Sequence, residues 1–380
     1  MTRITVSMLL LIVLALSIPA AACLWDLDTL AVERSRFPTA LELITGKFLR
    51  HSPAYYRWRV KNRTERLVDE PDNLALYDDL AVAYEKLGEH EKAIETTLKK
   101  DKLKPGLYET HANRGTFYIH AGRLAEGLEQ IERAIEINPD AHFGREVYQK
   151  LLVKYVLEKR EQGGGKLPLP LDTSGRYESP VGFATHVMVA RFGEDWHEET
   201  LETRQPEFEK AIKGVLGMMR FGNFDSPVLL EAAGDLLLSR GYPEDAKRLA
   251  TRAYLRASYE ASDPQARDAY QTIARQSVGG QSVGIGNTDQ LPFESLEATF
   301  KQEVDEAESW YQSLQADEQR WIDEGRDLDL EFASKYLEEP LVEASLVRQV
   351  SSPLNNPVFP PASAGQPTRH CGRQIGIGAR

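Results

Sequence analysis

The sequence predicts an all-α protein, a solenoid of helix–turn–helix repeats with a long helix near its C-terminus. Two observations predict this fold. Prolines recur at a fixed interval of 34 residues, at Pro71, Pro105 and Pro139, and such a period is typical of stacked helical repeats. Apolar residues then recur every three or four positions between Phe293 and Trp321, which is the spacing of one face of an amphipathic helix.

Residues 1–22 have the composition of a signal peptide. Arg3 gives a positive start, residues 8–18 are apolar, and Pro19 to Ala22 are the small residues that a signal peptidase needs. The apolar stretch is too short for a membrane span of about 20 residues. The sequence therefore predicts export, to a bacterial periplasm or cell envelope.

Cys23 would be the first residue of the mature chain. Its position after Ala21 and Ala22 resembles the lipobox of bacterial lipoproteins, which implies a lipid on Cys23 and a membrane anchor. An unlipidated secreted chain, or a disulfide with Cys371, fits the sequence too. The acidic and apolar segment Trp25–Thr29 follows directly, and is either a strap on the first helices or a motif for a partner.

The charge balance argues against one class of partner. The chain has 46 basic and 58 acidic residues, and without Arg3 the basic count falls to 45, so the mature net charge becomes −13. Binding of nucleic acid needs clustered Lys and Arg, so we expect no nucleic-acid partner.

Residues 23–73 are predicted to be an N-terminal cap, with helices at 36–49 and 53–70. The second helix interleaves aromatic residues with basic ones. The basic residues Arg57, Arg59, Lys61 and Arg63 are candidates for contact with a membrane surface, since one lipid anchor usually needs a second signal. The alternative is an amphipathic cap helix whose arginines extend over the aromatic rings.

Residues 74–160 are predicted to hold repeats at 74–107 and 108–141 and a following helix at 142–160. Small residues keep the 34-residue interval: Gly115 and Gly127 would let two helices approach, and Gly88 and Gly122 would end the first helix of each repeat. A third row at 227–260 repeats the pattern with Gly234 and Gly241. These positions resemble the tetratricopeptide repeat, and the resemblance implies a right-handed superhelix.

The resemblance also implies that the first helix of each repeat lines a concave groove that binds an extended peptide or a helix of a partner protein. Nine residues would then face this groove and contact the partner. They are Asp78, Asp79, Val82, Lys86, Asn113, Thr116, His120, Glu231 and Asp235. The set is mostly acidic and polar, and therefore favours a basic or polar ligand, although any one of these residues could simply face solvent.

The rest of the chain is divided by composition. Residues 161–205 are a linker and insert, rich in Gly and Pro at their start, and residues 206–276 return to repeats and helices at 206–221 and 264–276. Residues 277–350 hold a loop and the long helix 293–324, which either caps its own solenoid, the interpretation we favour, or pairs as a coiled coil. Residues 351–380 read as a disordered tail.

A search for catalytic chemistry favours a scaffold over an enzyme. His197-Glu198-Glu199 begins like a zinc-protease helix but lacks the second histidine. No cofactor or metal is expected. We therefore expect an exported scaffold for protein–protein interaction. One alternative is a structural envelope lipoprotein whose groove is blocked by helix 293–324, and a less favoured one is a cell-envelope enzyme with a pocket built by the insert at 161–205.

Overall fold

The computed structural model describes residues 37–139, 144–161, 167–169, 181–240, 244–279 and 292–337. This part of the chain consists of fourteen α-helices and one short 3₁₀ helix, without a β-strand. The all-α prediction is therefore confirmed. The predicted signal peptide, Cys23, the Trp25–Thr29 segment, Gly241, Cys371 and the tail lie outside the described residues.

The helices follow the predicted boundaries within a few residues over most of the chain. They are α1 Ala40–Thr45, α2 Pro53–Asp69, α3 Leu74–Lys86, α4 His90–Leu103, α5 Tyr108–His120, α6 Leu124–Ile137, α7 Arg145–Glu161, α8 Gly182–Phe192, α9 Leu201–Phe221, α10 Pro227–Ser239, α11 Glu244–Glu260, α12 Pro264–Gly279, α13 Phe293–Asp323 and α14 Leu328–Tyr336. The short 3₁₀ helix Trp196–Glu198 lies between α8 and α9. Helices α8 and α14 are additions to the prediction.

The first two repeats are the helix pairs α3–α4 and α5–α6, and glycine sets the geometry of each. Gly88 and Gly122 follow the first helices with φ of 75° and 78°, the left-handed conformation that glycine adopts at little cost. A Cβ atom on Gly127 would lie only 2.6 Å from Cγ1 of Ile119 and 2.9 Å from the carbonyl oxygen of Gly115. The two helices of the second repeat therefore approach as closely as the small residues predicted.

A third helix pair is formed by α7 and α9, which are separated in sequence by the insert. The contact again depends on glycine, since a Cβ on Gly214 would lie 2.6 Å from Cδ2 of Tyr148 and one on Gly217 would lie 2.8 Å from Cδ of Arg145. Helix α8, inside the insert, packs against α7 and α10. The fourth pair, α10–α11, corresponds to the predicted row at 227–260 and is followed by α12.

The two ends of the described stack contact each other. The long helix α13 packs against α12 and α11, and also against α1 and α2 at the N-terminal end. Tyr55 of α2 shares an apolar cluster with Leu314 and Trp321 of α13 and with Leu328 and Phe332 of α14. The long helix thus packs on its own chain, as the favoured interpretation expected.

Buried charges hold this junction together. Arg63 of α2 donates to Asp79 of α3 over 2.7 Å and also to Asp329 of α14. Arg59 donates to Asp329 as well, over 3.1 Å. Arg59 and Arg63 are 0% and 1% exposed, so their predicted place on a membrane-facing surface is wrong: their charges are used inside the protein.

Arg57 and Lys61 do lie at the surface of α2, and their contact with a membrane stays a prediction. Among the described residues, none of the helices combines the length and hydropathy that crossing a bilayer would require.

Candidate functional site

A cavity with a volume of about 590 Å³ lies on the inner face of the stack. One wall consists of the first helices of three successive repeats, α3, α5 and α7. Glu85, Ile119 and Val153, which are 34 residues apart, all line it. The opposite wall is the end of α9, the turn that follows, and the start of α10. We call this space the groove cavity.

Much of the lining is apolar. Leu152, Val153 and Val156 of α7 face Met218 of α9 and Leu229 of α10 across the cavity, and all five are at least nine-tenths buried. Hydrophobic walls with a few convergent polar groups are the usual composition of a ligand pocket. The cavity can therefore hold an apolar group and exclude water from it.

The polar end of the cavity is built around one carboxylate. Glu85 accepts from Nδ1 of His120 over 2.6 Å and from Nδ1 of His90 over 2.9 Å. A carboxylate only accepts hydrogen bonds, so each ring carries its proton on Nδ1. The charge of Glu85 is thus committed to two histidines, and within the described part of the chain the Nε2 atom of each ring makes no hydrogen bond.

Two further basic residues line the cavity. Lys86 donates to the carbonyl oxygens of Phe221 and Gly222, over 2.9 and 2.5 Å, and so ties α3 to the end of α9. Arg160, near the end of α7, is exposed and makes no ion pair among the described residues. The lining therefore has one carboxylate against two permanent cations and two histidines, although the whole chain carries a net charge of −12.

Three of the nine predicted groove residues line this cavity: Lys86, Thr116 and His120. Thr116 is largely buried and accepts from Nε2 of Gln149 over 3.1 Å. Binding of a partner by these three residues stays a prediction, but the structure brings them together at one inner surface.

The other predicted residues in the first two repeats serve the fold. Asp78 accepts from Lys100 over 2.6 Å, and Asp79 accepts from Arg63. Val82 packs in an apolar cluster with Ala81, Ala93, Ile94 and Phe117, and Asn113 is fully buried. Their expected exposure in an open groove is wrong: Asp78 and Val82 are buried against neighbouring helices of the first two repeats, and Asp79 is covered where α2 meets the stack.

Glu231 and Asp235 of α10 are buried for a second reason, since the insert packs over them. Glu231 accepts from the backbone N–H of Leu169 and from the Tyr270 hydroxyl, over 3.1 and 2.6 Å. Asp235 accepts from the backbone N–H of Phe183 and from the Tyr254 hydroxyl, over 2.8 and 2.7 Å. Burial raises the pKa of Asp235 to about 7, and burial together with the neighbouring Asp235 also raises the pKa of Glu231.

The predicted set missed Glu85, His90, Arg160 and the apolar lining of α7. The repeat period could have located some of them, since Val153 continues the series of Glu85 and Ile119, and His90 lies 34 residues before the cavity residue Leu124. Arg160 has no such signal, because the degenerate third pair was predicted only as a single helix. The expected acidic groove is therefore replaced by one that is apolar and locally basic.

The position of the long helix bears on the alternatives. None of the cavity-lining residues comes from α13 or α14, so the long helix lies outside the groove cavity. Among the described residues there is also no group of three or more His, Cys, Asp and Glu side chains arranged to hold a metal ion.

The helix pairs and their shared inner face define a helical repeat protein of the solenoid class. Comparison with known families then shows which one: residues 74–105 and 108–141 each match the profile of the tetratricopeptide repeat. The chain is a tetratricopeptide repeat protein over this region. These repeats support a general role as a scaffold for protein–protein interaction, and such folds are typically non-catalytic. No curated protein matches the chain.

Proposed function

We propose that this chain is an exported scaffold that binds a segment of a partner protein in the groove cavity. The observation that supports the proposal is the alignment of equivalent positions of three repeats, Glu85, Ile119 and Val153, along one cavity of about 590 Å³. A side chain or two of an extended segment fits a space of this size. The cavity composition favours a ligand with apolar side chains and at least one acidic group.

The test is affinity capture of partners from cell-envelope extract with a matched pair of variants. Lys86→Ala/His120→Ala removes two polar side chains from the cavity, and Lys99→Ala/Arg133→Ala removes two basic side chains from exposed positions on α4 and α6. We expect a partner that the wild type and the surface variant retain and the cavity variant loses. Equal capture by all three chains would refute the role of the cavity.

A structural role without a peptide ligand is the second candidate. The meeting of α2 with α13 and α14, and the burial of Asp78, Asp79, Asn113, Glu231 and Asp235, favour it, because much of the inner face is already used by the fold. A chain that captures no partner, yet whose deletion weakens the cell envelope, would support this alternative over the scaffold.

Export and anchoring complete the proposal, and both rest on the sequence of residues 1–23. Labelling cells with a radioactive fatty acid compares the wild type with Cys23→Ser. Incorporation into the wild type alone, with the protein in the membrane fraction, would support the lipoprotein. A processed but unlabelled chain in the soluble envelope fraction would support secretion without an anchor.

A further inference from the structure

A row of exposed apolar residues follows one edge of the stack. Helices α2, α4 and α6 run in the same direction, because one antiparallel helix separates each from the next, so their C-terminal ends lie at the same edge. Leu103 and Ile137 are the last residues of α4 and α6, and Val68 is the last but one of α2. They are 45%, 46% and 78% exposed, and they are half of the large apolar side chains exposed in the described part of the chain. Such a concentration of apolar surface is typical of an interaction site.

The exposed charges along this edge change sign between α2 and α4. Asp69 is the last residue of α2 and Asp72 lies in the turn that follows, whereas Lys102 and Lys104 flank the last residue of α4. All four side chains are exposed, and none of them forms an ion pair within the described residues. The edge therefore has an acidic end beside a basic one, and the charges of both ends are available to a partner.

This arrangement fits a second copy of the same chain. A two-fold axis between the ends of α2 and α4 places Val68 of each copy against Leu103 of the other, and the aspartates of each copy against the lysines of the other. The contacts of a two-fold dimer are reciprocal, so each favourable contact forms twice. An axis through Leu103 would instead bring the lysines of both copies together, which like-charge repulsion disfavours. An anionic lipid surface would attract the lysines but repel the aspartates.

We propose that residues 68–72 and 102–104 form the two-fold interface of a homodimer. The interface consists of two helix ends and a turn, so it belongs with the weak, transient contacts that bury less than about 1,200 Å². The turn between α3 and α4, which carries Gly88 of the cavity lining, lies at the opposite end of these helices. Dimerisation therefore leaves both groove cavities open, and the scaffold presents two of them to its partners.

The test exchanges the charges of the edge. Lys102→Glu/Lys104→Glu makes both ends acidic, and Asp69→Lys/Asp72→Lys makes both ends basic. Two copies of either variant repel each other, whereas an equimolar mixture of the two variants pairs acid with base at both contacts. Sedimentation velocity over a series of micromolar concentrations measures the association of the full chain. Rescue by mixing also shows that both variants are folded.

We expect a reversible wild-type dimer, a dissociation constant raised at least about tenfold in each charge variant, and a mixture that returns to within about threefold of the wild type. Leu103→Glu should weaken the dimer as well. The matched control is Ile137→Glu, which should leave the dimer intact because the end of α6 lies outside the paired ends.

Three results would overturn the inference: a wild type that stays monomeric throughout the series, a mixture that does not associate, or equal weakening by Ile137→Glu and Leu103→Glu. A monomeric wild type that binds anionic phospholipid vesicles, with binding lost in the Lys102→Glu/Lys104→Glu chain, would assign the edge to a lipid surface instead. None of these variants alters the cavity lining, so failure here is distinguishable from failure of partner capture.

Discussion

Arg63 is the residue for which the structure most sharply reverses the sequence-based role. Its guanidinium contacts the carboxylates of Asp79 and Asp329, and only 1% of the residue is exposed. Burial alone would lower the pKa of Arg63, but the two aspartates raise it above its ordinary value, so the cation is fixed. Arg63→Met keeps most of the side-chain volume and removes the charge, which leaves two buried carboxylates with reduced compensation.

The expected cost follows from the two partners. Asp329 keeps Arg59 at 3.1 Å and the Tyr55 hydroxyl at 2.6 Å, so its loss is partly offset, whereas Asp79 loses the cation that lies 2.7 Å away. Breaking one buried ion pair from one side costs about 3–5 kcal/mol, and we expect Arg63→Met to lower the free energy of unfolding by that amount.

The matched control is Lys61→Met on the same helix. Lys61 is exposed and lies 4.0 Å from Glu65, and an exposed pair of this kind contributes about 0.3–0.5 kcal/mol. Urea unfolding followed by far-ultraviolet circular dichroism measures both chains against the wild type. Equal urea midpoints for Arg63→Met and Lys61→Met would refute the buried network. If only the Lys61→Met chain lost binding to anionic vesicles, Lys61 on α2 would contact the membrane surface.

Three further predictions concern other parts of the fold. The folded pKa of Asp235, about 7, exceeds the unfolded value of about 3.9, so the folded state keeps a proton that the unfolded state releases. The free energy of unfolding should therefore fall as pH rises from about 4 to 7, by up to about 1.4 kcal/mol per pH unit. Urea titrations at several pH values should show a flatter slope for Asp235→Asn. Gly127→Ala should cost up to about 3 kcal/mol by overpacking, more than the about 1–2 kcal/mol of left-handed strain in Gly88→Ala, whose Cβ meets nothing within 4 Å. Equal thermal midpoints would contradict the close contact of α5 and α6. Glu318→Gln should lower stability by about 1–3 kcal/mol, because the buried carboxylate accepts from His51 and from the Ser52 N–H over 2.7 and 2.8 Å, and an unchanged unfolding midpoint would show that this contact is dispensable.

The parts of the fold that the sequence predicted are those set by local physics. The glycines after α3 and α5 and the small residues at Gly115 and Gly127 act within one repeat, so their 34-residue period is visible in the sequence. The long helix α13 is visible for the same reason, since one face repeats every three or four residues. Helix α8 was not predicted, and it lies in an insert whose place is set by contacts with α7 and α10.

The site was predicted less well because its surroundings depend on contacts between distant parts of the sequence. Asp79 looked like a groove residue because its position in the first helix is a groove position, but Arg63 and Asp329 approach it from α2 and α14. Asp329 lies 250 residues after Asp79, and no repeat period connects the two. A periodic pattern describes only contacts between neighbouring repeats.

The same reasoning explains why the cavity survives at one place on the inner face. Where a partner helix or the insert reaches the stack, the inner residues have acquired charged or hydroxyl partners, as at Asp79 and Asp235. Along Glu85, Ile119 and Val153 the end of α9 and the start of α10 stand across the groove cavity, and the position changes from a carboxylate held by two histidines to two aliphatic side chains. Apolar walls beside a few convergent polar groups are the usual composition of a ligand pocket, which is why we expect a partner segment to bind in the groove cavity rather than at the buried carboxylates around it.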